Sequence, residues 1–227
     1  MSSPASTASH TDASVPVLRD FGGGPFGIYV HVPFCATRCG YCDFNTYTAG
    51  ELGSSSSPQS WMTALRGELA TAARQFAALP SATPEVATIF VGGGTPSLLG
   101  GDGLAEVLDA VRAEFTLAAD AEITTESNPE STSPAFFERI RSAGYTRVSL
   151  GMQSAAQHVL AVLDRTHTPG RAGAAPQGGR AGGVGPGNHA RIIGPPRARA
   201  PRCTPTGQAS SWSSTWATTA AAYSPML

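Results

Sequence analysis

The chain has 227 residues, a formal net charge of −1, 41% hydrophobic residues, 26 Gly and 18 Pro. That length allows one sizeable core with an irregular end, and the charge balance gives no long-range pull toward nucleic acid or anionic lipid. All 15 basic residues are Arg, which excludes a Walker-type phosphate loop, a pyridoxal Schiff base and any lysine nucleophile, because each needs an amine.

Residues 1–24 are rich in Ser, Ala and Thr, lack a basic start followed by an apolar run, and close on the breaker cluster Phe21-Gly22-Gly23-Gly24-Pro25; they read as a disordered leader and not as a secretory signal. Ile28, Tyr29, Val30 and Val32 form a short strand ended by Pro33, which feeds directly into a cysteine-rich loop. Trp61, Leu65, Leu69, Ala72 and Phe76 recur at helical spacing, and Pro80 stops that helix. Val86 to Val91 is a strand that runs into Gly92-Gly93-Gly94-Thr95-Pro96-Ser97. Leu104, Val107, Leu108, Val111 and Phe115 then make an amphipathic helix with Asp102 as its expected N-cap. Glu122 to Glu126 predicts a third strand. Ser133-Pro134 caps a helix through Ile140 that Gly144 ends, and Val148, Leu150 and Met152 give a fourth strand.

Strand and helix alternating four times predict an α/β fold with a parallel sheet, whose site lies where the strand-end loops gather. Every polar motif in the chain falls at such an end. No stretch reaches the roughly 20 apolar residues needed to cross a bilayer. Three of the four cysteines fall between Cys35 and Cys42, which argues against a disulfide framework and for a reducing cytoplasm.

After about Arg171 the regular apolar spacing vanishes, and no acidic residue follows Asp164. The expected organisation is therefore a leader over 1–24, an incomplete α/β core over 25–171 and an irregular low-complexity tail over 172–227, arising from a reading-frame change in a GC-rich gene or from a biased disordered segment.

Cys35-Ala36-Thr37-Arg38-Cys39-Gly40-Tyr41-Cys42 spaces three thiols by three and then two residues. Thiolates favour zinc and iron–sulfur clusters. Structural zinc wants four closed ligands, usually in two separated pairs, whereas a compact trio fits a cluster with one open iron. His31 and Cys203 are the nominal fourth ligands for zinc; one lies on a strand and the other in the tail. His31 is left without a role, since a strand histidine is more often packed or hydrogen-bonded than catalytic, and His167 and Cys203, with no partner in the sequence, read as structural.

The cysteine spacing behind a strand resembles the radical S-adenosylmethionine (SAM) superfamily. Ile28-Tyr29-Val30-His31-Val32-Pro33-Phe34-Cys35, Gly92 to Ser97, Glu126-Ser127-Asn128-Pro129-Glu130 and Leu150-Gly151-Met152-Gln153-Ser154 occur in that order. Together they resemble the group that contains oxygen-independent coproporphyrinogen dehydrogenase and the heme chaperone HemW. The resemblance implies the N-terminal portion, about four β/α units, of a partial (β/α)6 barrel. It implies that Cys35, Cys39 and Cys42 bind three irons of a 4Fe–4S cluster while SAM chelates the fourth, and that an electron from the cluster cleaves SAM to methionine and a 5′-deoxyadenosyl radical. By the same resemblance Tyr29 and the backbone at Tyr41 line the SAM site. Gly93, Gly94 and Thr95 meet its methionine end, where glycines let backbone approach a zwitterion closely. Glu126, Gln153 and Arg165 supply further contacts, Glu126 toward the ammonium or ribose and Arg165 toward the carboxylate.

Within the group, the dehydrogenase branch carries a fourth cysteine two places after the third. Here Cys42 is followed by Asp43-Phe44-Asn45, which resembles the chaperone branch. That branch implies heme as ligand, an unidentified heme acceptor protein, an electron donor for the cluster, and no nucleic-acid partner. The missing strands are expected to leave an unpaired sheet edge and an uncovered apolar face, and a truncated product that neither carries heme nor oxidises coproporphyrinogen is the further alternative.

Overall fold

The structure, a computed structural model, describes residues 24–37, 42, 44–48, 57–153, 189–191 and 215–219. Its core is a parallel sheet built from β1 (Phe26–Val32), β4 (Val86–Gly93), β5 (Leu117–Ser127) and β6 (Arg147–Gln153), with helices α1 (Pro58–Ala77), α2 (Gly100–Glu114) and α3 (Pro134–Ala143) as the intervening crossovers. Two further pairs of residues, β2 (Phe34–Cys35) and β3 (Tyr47–Thr48), form a small parallel pair that folds the cysteine loop back on itself. The expected alternation of strands and helices is the observed one, and each core strand extends one or more residues beyond its apolar run.

The helices form where the sequence supplies both a stripe and a cap. Ser57 accepts the Ser60 N–H at 3.1 Å while the Ser60 hydroxyl accepts the Ser57 N–H at 2.9 Å, so two of the donors orphaned at the start of α1 are satisfied reciprocally. Ser133 accepts the Phe136 N–H at 3.1 Å, Pro134 opens α3, and the Gly144 N–H closes it on the Ile140 and Arg141 carbonyls. Asp102 is not an N-cap. A 3-10 turn over Pro96–Leu99 runs straight into α2, so Asp102 lies inside the first helical turn, where its charge suits the helix dipole and meets Arg139 Nε at 2.6 Å.

The helices cover one face of the sheet. Ile28, Val30 and Val32 of β1 and Ile89 and Val91 of β4 are buried there against Leu65, Leu69, Leu104, Leu108 and Ile140. Phe26, Phe76 and Phe115 meet with ring centroids 4.9 to 6.1 Å apart at one end of this layer. The alternate residues Tyr29, His31, Phe90, Glu122, Thr124 and Glu126 lie on the opposite face, and Tyr29, His31, Phe90 and Glu126 are half-buried.

An uncovered apolar face is absent among the described residues, where only Phe44 and Leu98 are large, hydrophobic and exposed. The physical reason is the alternation itself, which places polar groups on the side without helices. The expected unpaired edge is also occupied, because short strands from the tail flank the core sheet on both sides: β7 (His189–Arg191) lies parallel to β6 and β8 (Thr215–Thr219) parallel to β1, giving the order β7-β6-β5-β4-β1-β8. A bare edge presents unpaired N–H and C=O groups, and Thr215-Trp216-Ala217-Thr218-Thr219 has the residue types that pair there. No described helix is long and apolar enough to cross a membrane.

Candidate functional site at the carboxyl rim of the sheet

Because β1, β4, β5 and β6 are parallel, their C-terminal ends at Val32, Gly93, Ser127 and Gln153 share one rim. Backbone bonds fasten the glycine motif to the cysteine loop. The Gly94 N–H donates to the Val32 carbonyl and the Thr95 N–H to the Phe34 carbonyl, each at 2.7 Å. The glycines thus have a local reason beyond ligand approach. Gly93 has φ +110°, and a Cβ there would lie 2.6 Å from the His31 ring; a Cβ on Gly94 would lie 2.5 Å from the Phe34 carbonyl oxygen.

A second fastening joins the glycine motif to the end of β5. The Ser97 hydroxyl, buried, accepts the Asn128 N–H at 3.0 Å and lies 2.5 Å from the Ser131 hydroxyl, while Asn128 Oδ1 accepts the Glu130 N–H. Between these fastenings Glu126 Oε2 accepts the Gly93 N–H at 3.1 Å. Burial raises the Glu126 carboxyl above the ordinary glutamate range, partly offset by the Gly93 N–H and by His31. The Tyr29 phenol is raised as well, first by burial and then by the nearby Glu126 charge. Phe90 stacks on Tyr29 with centroids 6.1 Å apart and planes 22° apart.

Cys35 stands in β2 with the Thr95 hydroxyl 3.9 Å from its sulfur, and Cys42 has the Thr46 hydroxyl 3.8 Å from its own. Both are partly exposed and neither is in a disulfide. Accessible thiols at a strand end, each met by a hydroxyl, have the donor chemistry of iron–sulfur ligands, whose sulfurs are tuned by such hydrogen bonds. Cys39, Tyr41 and Arg165 lie outside the described residues, as does the Gln153 side chain, although the Gln153 backbone is on the rim. With one cysteine of the trio outside them, the described residues contain no cluster of three metal-ligating groups. The structure therefore brings together Tyr29, Gly93, Gly94, Thr95, Glu126, Cys35 and Cys42.

His31, to which the sequence assigned no role, lies at this rim on β1, with its ring nitrogens beside the Tyr29 hydroxyl and the Asn45 carbonyl. Its position two residues after Tyr29 on a strand was the available signal, since residues i and i+2 share a face. A cavity of about 620 Å³ opens at the opposite, amino-terminal end of the sheet beside Arg112, Glu114 and Thr146. It contains none of the sequence motifs.

A family model described as the Radical SAM superfamily matches residues 29–175. The chain is 63% identical over 161 residues to a Mycobacterium tuberculosis protein named heme chaperone HemW, a match covering 71% of this chain and 40% of that protein. It is 41% identical over 149 residues to the Escherichia coli heme chaperone HemW, covering 65% of this chain and 37% of the relative. Among solved structures, Escherichia coli coproporphyrinogen III oxidase HemN, described as a radical SAM enzyme, superposes with a TM-score of 0.67 at 27% identity, covering 76% of this chain and 38% of that one. The chain thus spans about 40% of the length of the relatives it matches.

Proposed function

This chain belongs to the Radical SAM superfamily, and we propose on that premise that it is the cofactor-binding part of a heme chaperone, which holds a 4Fe–4S cluster and SAM at the carboxyl rim and binds heme for transfer to an acceptor protein. The observation that carries the reading is the convergence of the motifs on one rim, with the Cys35 sulfur beside Thr95 and the Glu126 carboxylate on Gly93. The 63% identity to a heme chaperone supports the chaperone branch, as does Phe44 at the position where the dehydrogenase branch carries a cysteine.

In this reading Cys35, Cys39 and Cys42 hold the irons, and Tyr29, Tyr41, Gly93, Gly94, Thr95, Glu126, Gln153 and Arg165 hold SAM. When bound, the cluster and SAM supply one-electron reductive chemistry that a lone zinc ion, having no redox chemistry, could not. The residues of the chain position and shield. Glu126 places a half-buried carboxylate where a cationic ligand group would be held, and Gly94 and Thr95 fix the distance between the β4 rim and the cysteine loop through their bonds to Val32 and Phe34. A cytoplasmic site of action and an external electron donor belong to the same proposal.

The structural likeness to HemN favours a second reading, oxidation of coproporphyrinogen by a radical mechanism. Anaerobically reconstituted full chain, titrated with heme, is expected to shift the heme Soret absorbance with saturation. Absence of any shift would overturn delivery of heme by this chain, and consumption of coproporphyrinogen coupled to SAM cleavage would establish the second reading.

The raised Glu126 pKa gives a signed prediction for SAM binding. A cationic group pairs with the carboxylate and not with the acid, so affinity should strengthen as pH rises through the raised pKa and level off above it. Glu126→Gln should weaken binding roughly tenfold or more on the level part, the loss expected for a charge-assisted hydrogen bond, and remove the pH dependence. Isothermal titration across pH checks both. Stability of the unliganded fold carries the opposite sign: its Glu126 contribution is fully present below the ordinary glutamate pKa and is lost as pH rises through the folded value.

A further inference from the structure

We propose that His31 is a positioning residue that ties the loop after the third cysteine to the SAM-facing tyrosine through its two ring nitrogens; this rests on the cofactor reading above. His31 Nε2 lies 2.9 Å from the Asn45 carbonyl oxygen and Nδ1 lies 3.0 Å from the Tyr29 hydroxyl. The carbonyl can only accept, so Nε2 carries the hydrogen. In the neutral ring Nδ1 then accepts, and the Tyr29 hydroxyl donates to it. The imidazole therefore sets which way the phenol proton points.

The other end of this chain of bonds holds the cysteine loop. Asn45 is gripped twice, its carbonyl by His31 and its side-chain oxygen by the Tyr47 hydroxyl at 2.7 Å. The next residue, Thr46, is buried, bonds back to the Phe44 carbonyl through its N–H at 2.8 Å, and places its hydroxyl near the Cys42 sulfur. Tyr47 donates its N–H to the Pro33 carbonyl at 2.8 Å, which returns the loop to β1.

The seat for the ring is built into the neighbouring strand. Gly93 has no side chain where one would strike the imidazole at 2.6 Å, and its N–H is the donor to Glu126. His31 thus touches the strand that carries Tyr29, the strand that carries the glycine motif and the loop that carries Cys42. Its ring is a joint between the groups assigned to SAM and one assigned to iron.

The test uses the reconstituted full chain with three variants, His31→Leu, His31→Gln and Tyr29→Phe, and the double variant. Iron retained against a chelator, the SAM-induced change in the electron paramagnetic resonance spectrum of the reduced cluster, and SAM affinity are measured, with circular dichroism melts to report folding. His31→Leu is expected to speed iron loss and to weaken SAM binding roughly tenfold, the scale of two lost hydrogen bonds. His31→Gln, whose amide can still donate to the Asn45 carbonyl, is expected to restore iron retention. In the Tyr29→Phe background the His31→Leu effect on SAM should shrink, because the hydroxyl it orients is gone.

Wild-type iron retention and SAM response in His31→Leu, or strict additivity of the double variant, would overturn the joint while leaving the cofactor reading intact. A wild-type chain that takes up no cluster would overturn both. Should His31→Leu melt early, the folded His31→Gln variant decides: iron loss no slower than in His31→Leu overturns the tether.

Discussion

Cys42→Ala, and equally Cys35→Ala, is expected to reduce the iron held after anaerobic reconstitution to background and to remove the visible absorbance of the cluster. A cluster bound by three protein thiolates has no spare ligand, so removing one leaves two irons open. The apoprotein should nevertheless fold, because both cysteines are partly exposed and neither belongs to the buried layer around Val30, Leu69, Leu104 and Ile140. Its unfolding free energy in the absence of iron should stay within the small range of surface substitutions, about 0.5 kcal/mol. Iron content at the wild-type level in either variant would remove these thiols from the ligand set.

Gly94→Ala should destabilise the rim strongly for the addition of a single methyl group. The new Cβ would sit 2.5 Å from the Phe34 carbonyl oxygen and 3.0 Å from the Val32 carbonyl oxygen, both backbone atoms that cannot swing aside. Relief requires β4 and the cysteine loop to separate, which stretches the two 2.7 Å bonds from Gly94 and Thr95. Two such bonds at about 1 kcal/mol each, with the backbone shift added, give a loss of about 2–4 kcal/mol. The control is Gly67→Ala in α1, where nothing lies within 4 Å of the added carbon. It should stabilise by about 0.5–1 kcal/mol through helix propensity alone. Chemical denaturation of the three proteins separates the cases, and equal stability of Gly94→Ala and wild type would show that the rim tolerates the separation.

Most of the fold was legible because its signals are local. Apolar spacing marked Trp61, Leu65 and Leu69 as one helix face, and Ser133 with Gly144 marked both ends of α3. Asp102 was misplaced because capping residues also serve inside a first turn, and the turn through Pro96–Leu99 that set the true start has no periodicity of its own. The β2 and β3 pair escaped for a similar reason, since two residues cannot display a period. Of the rim, the ordered motifs pointed to Tyr29, Gly93, Gly94, Thr95, Glu126, Cys35 and Cys42, which the strand ends carry, while Cys39 lies outside the described residues. What they could not reveal was the role of His31 and the seat that Gly93 makes for it, because both depend on the lateral approach of β1 to β4. The change in composition after Arg171 lies close to where the family match ends at residue 175.

The alternation along β5 also guards against error. Ile123, Thr125 and Ser127 are buried on the helix side while Glu122 and Glu126 face away from it. Sliding this strand by one residue during folding would drive Glu126 into the layer of Leu104, Val107 and Ile140 and turn Ile123 outward, because a shift of one exchanges every side chain between faces. A buried carboxylate without a cation or donor is among the costliest groups a core can acquire. The mispaired chain would therefore be selected against by the same carboxylate that the correctly paired chain presents at the rim beside Gly93, and proofreading of the sheet and presentation of the carboxylate rest on one position.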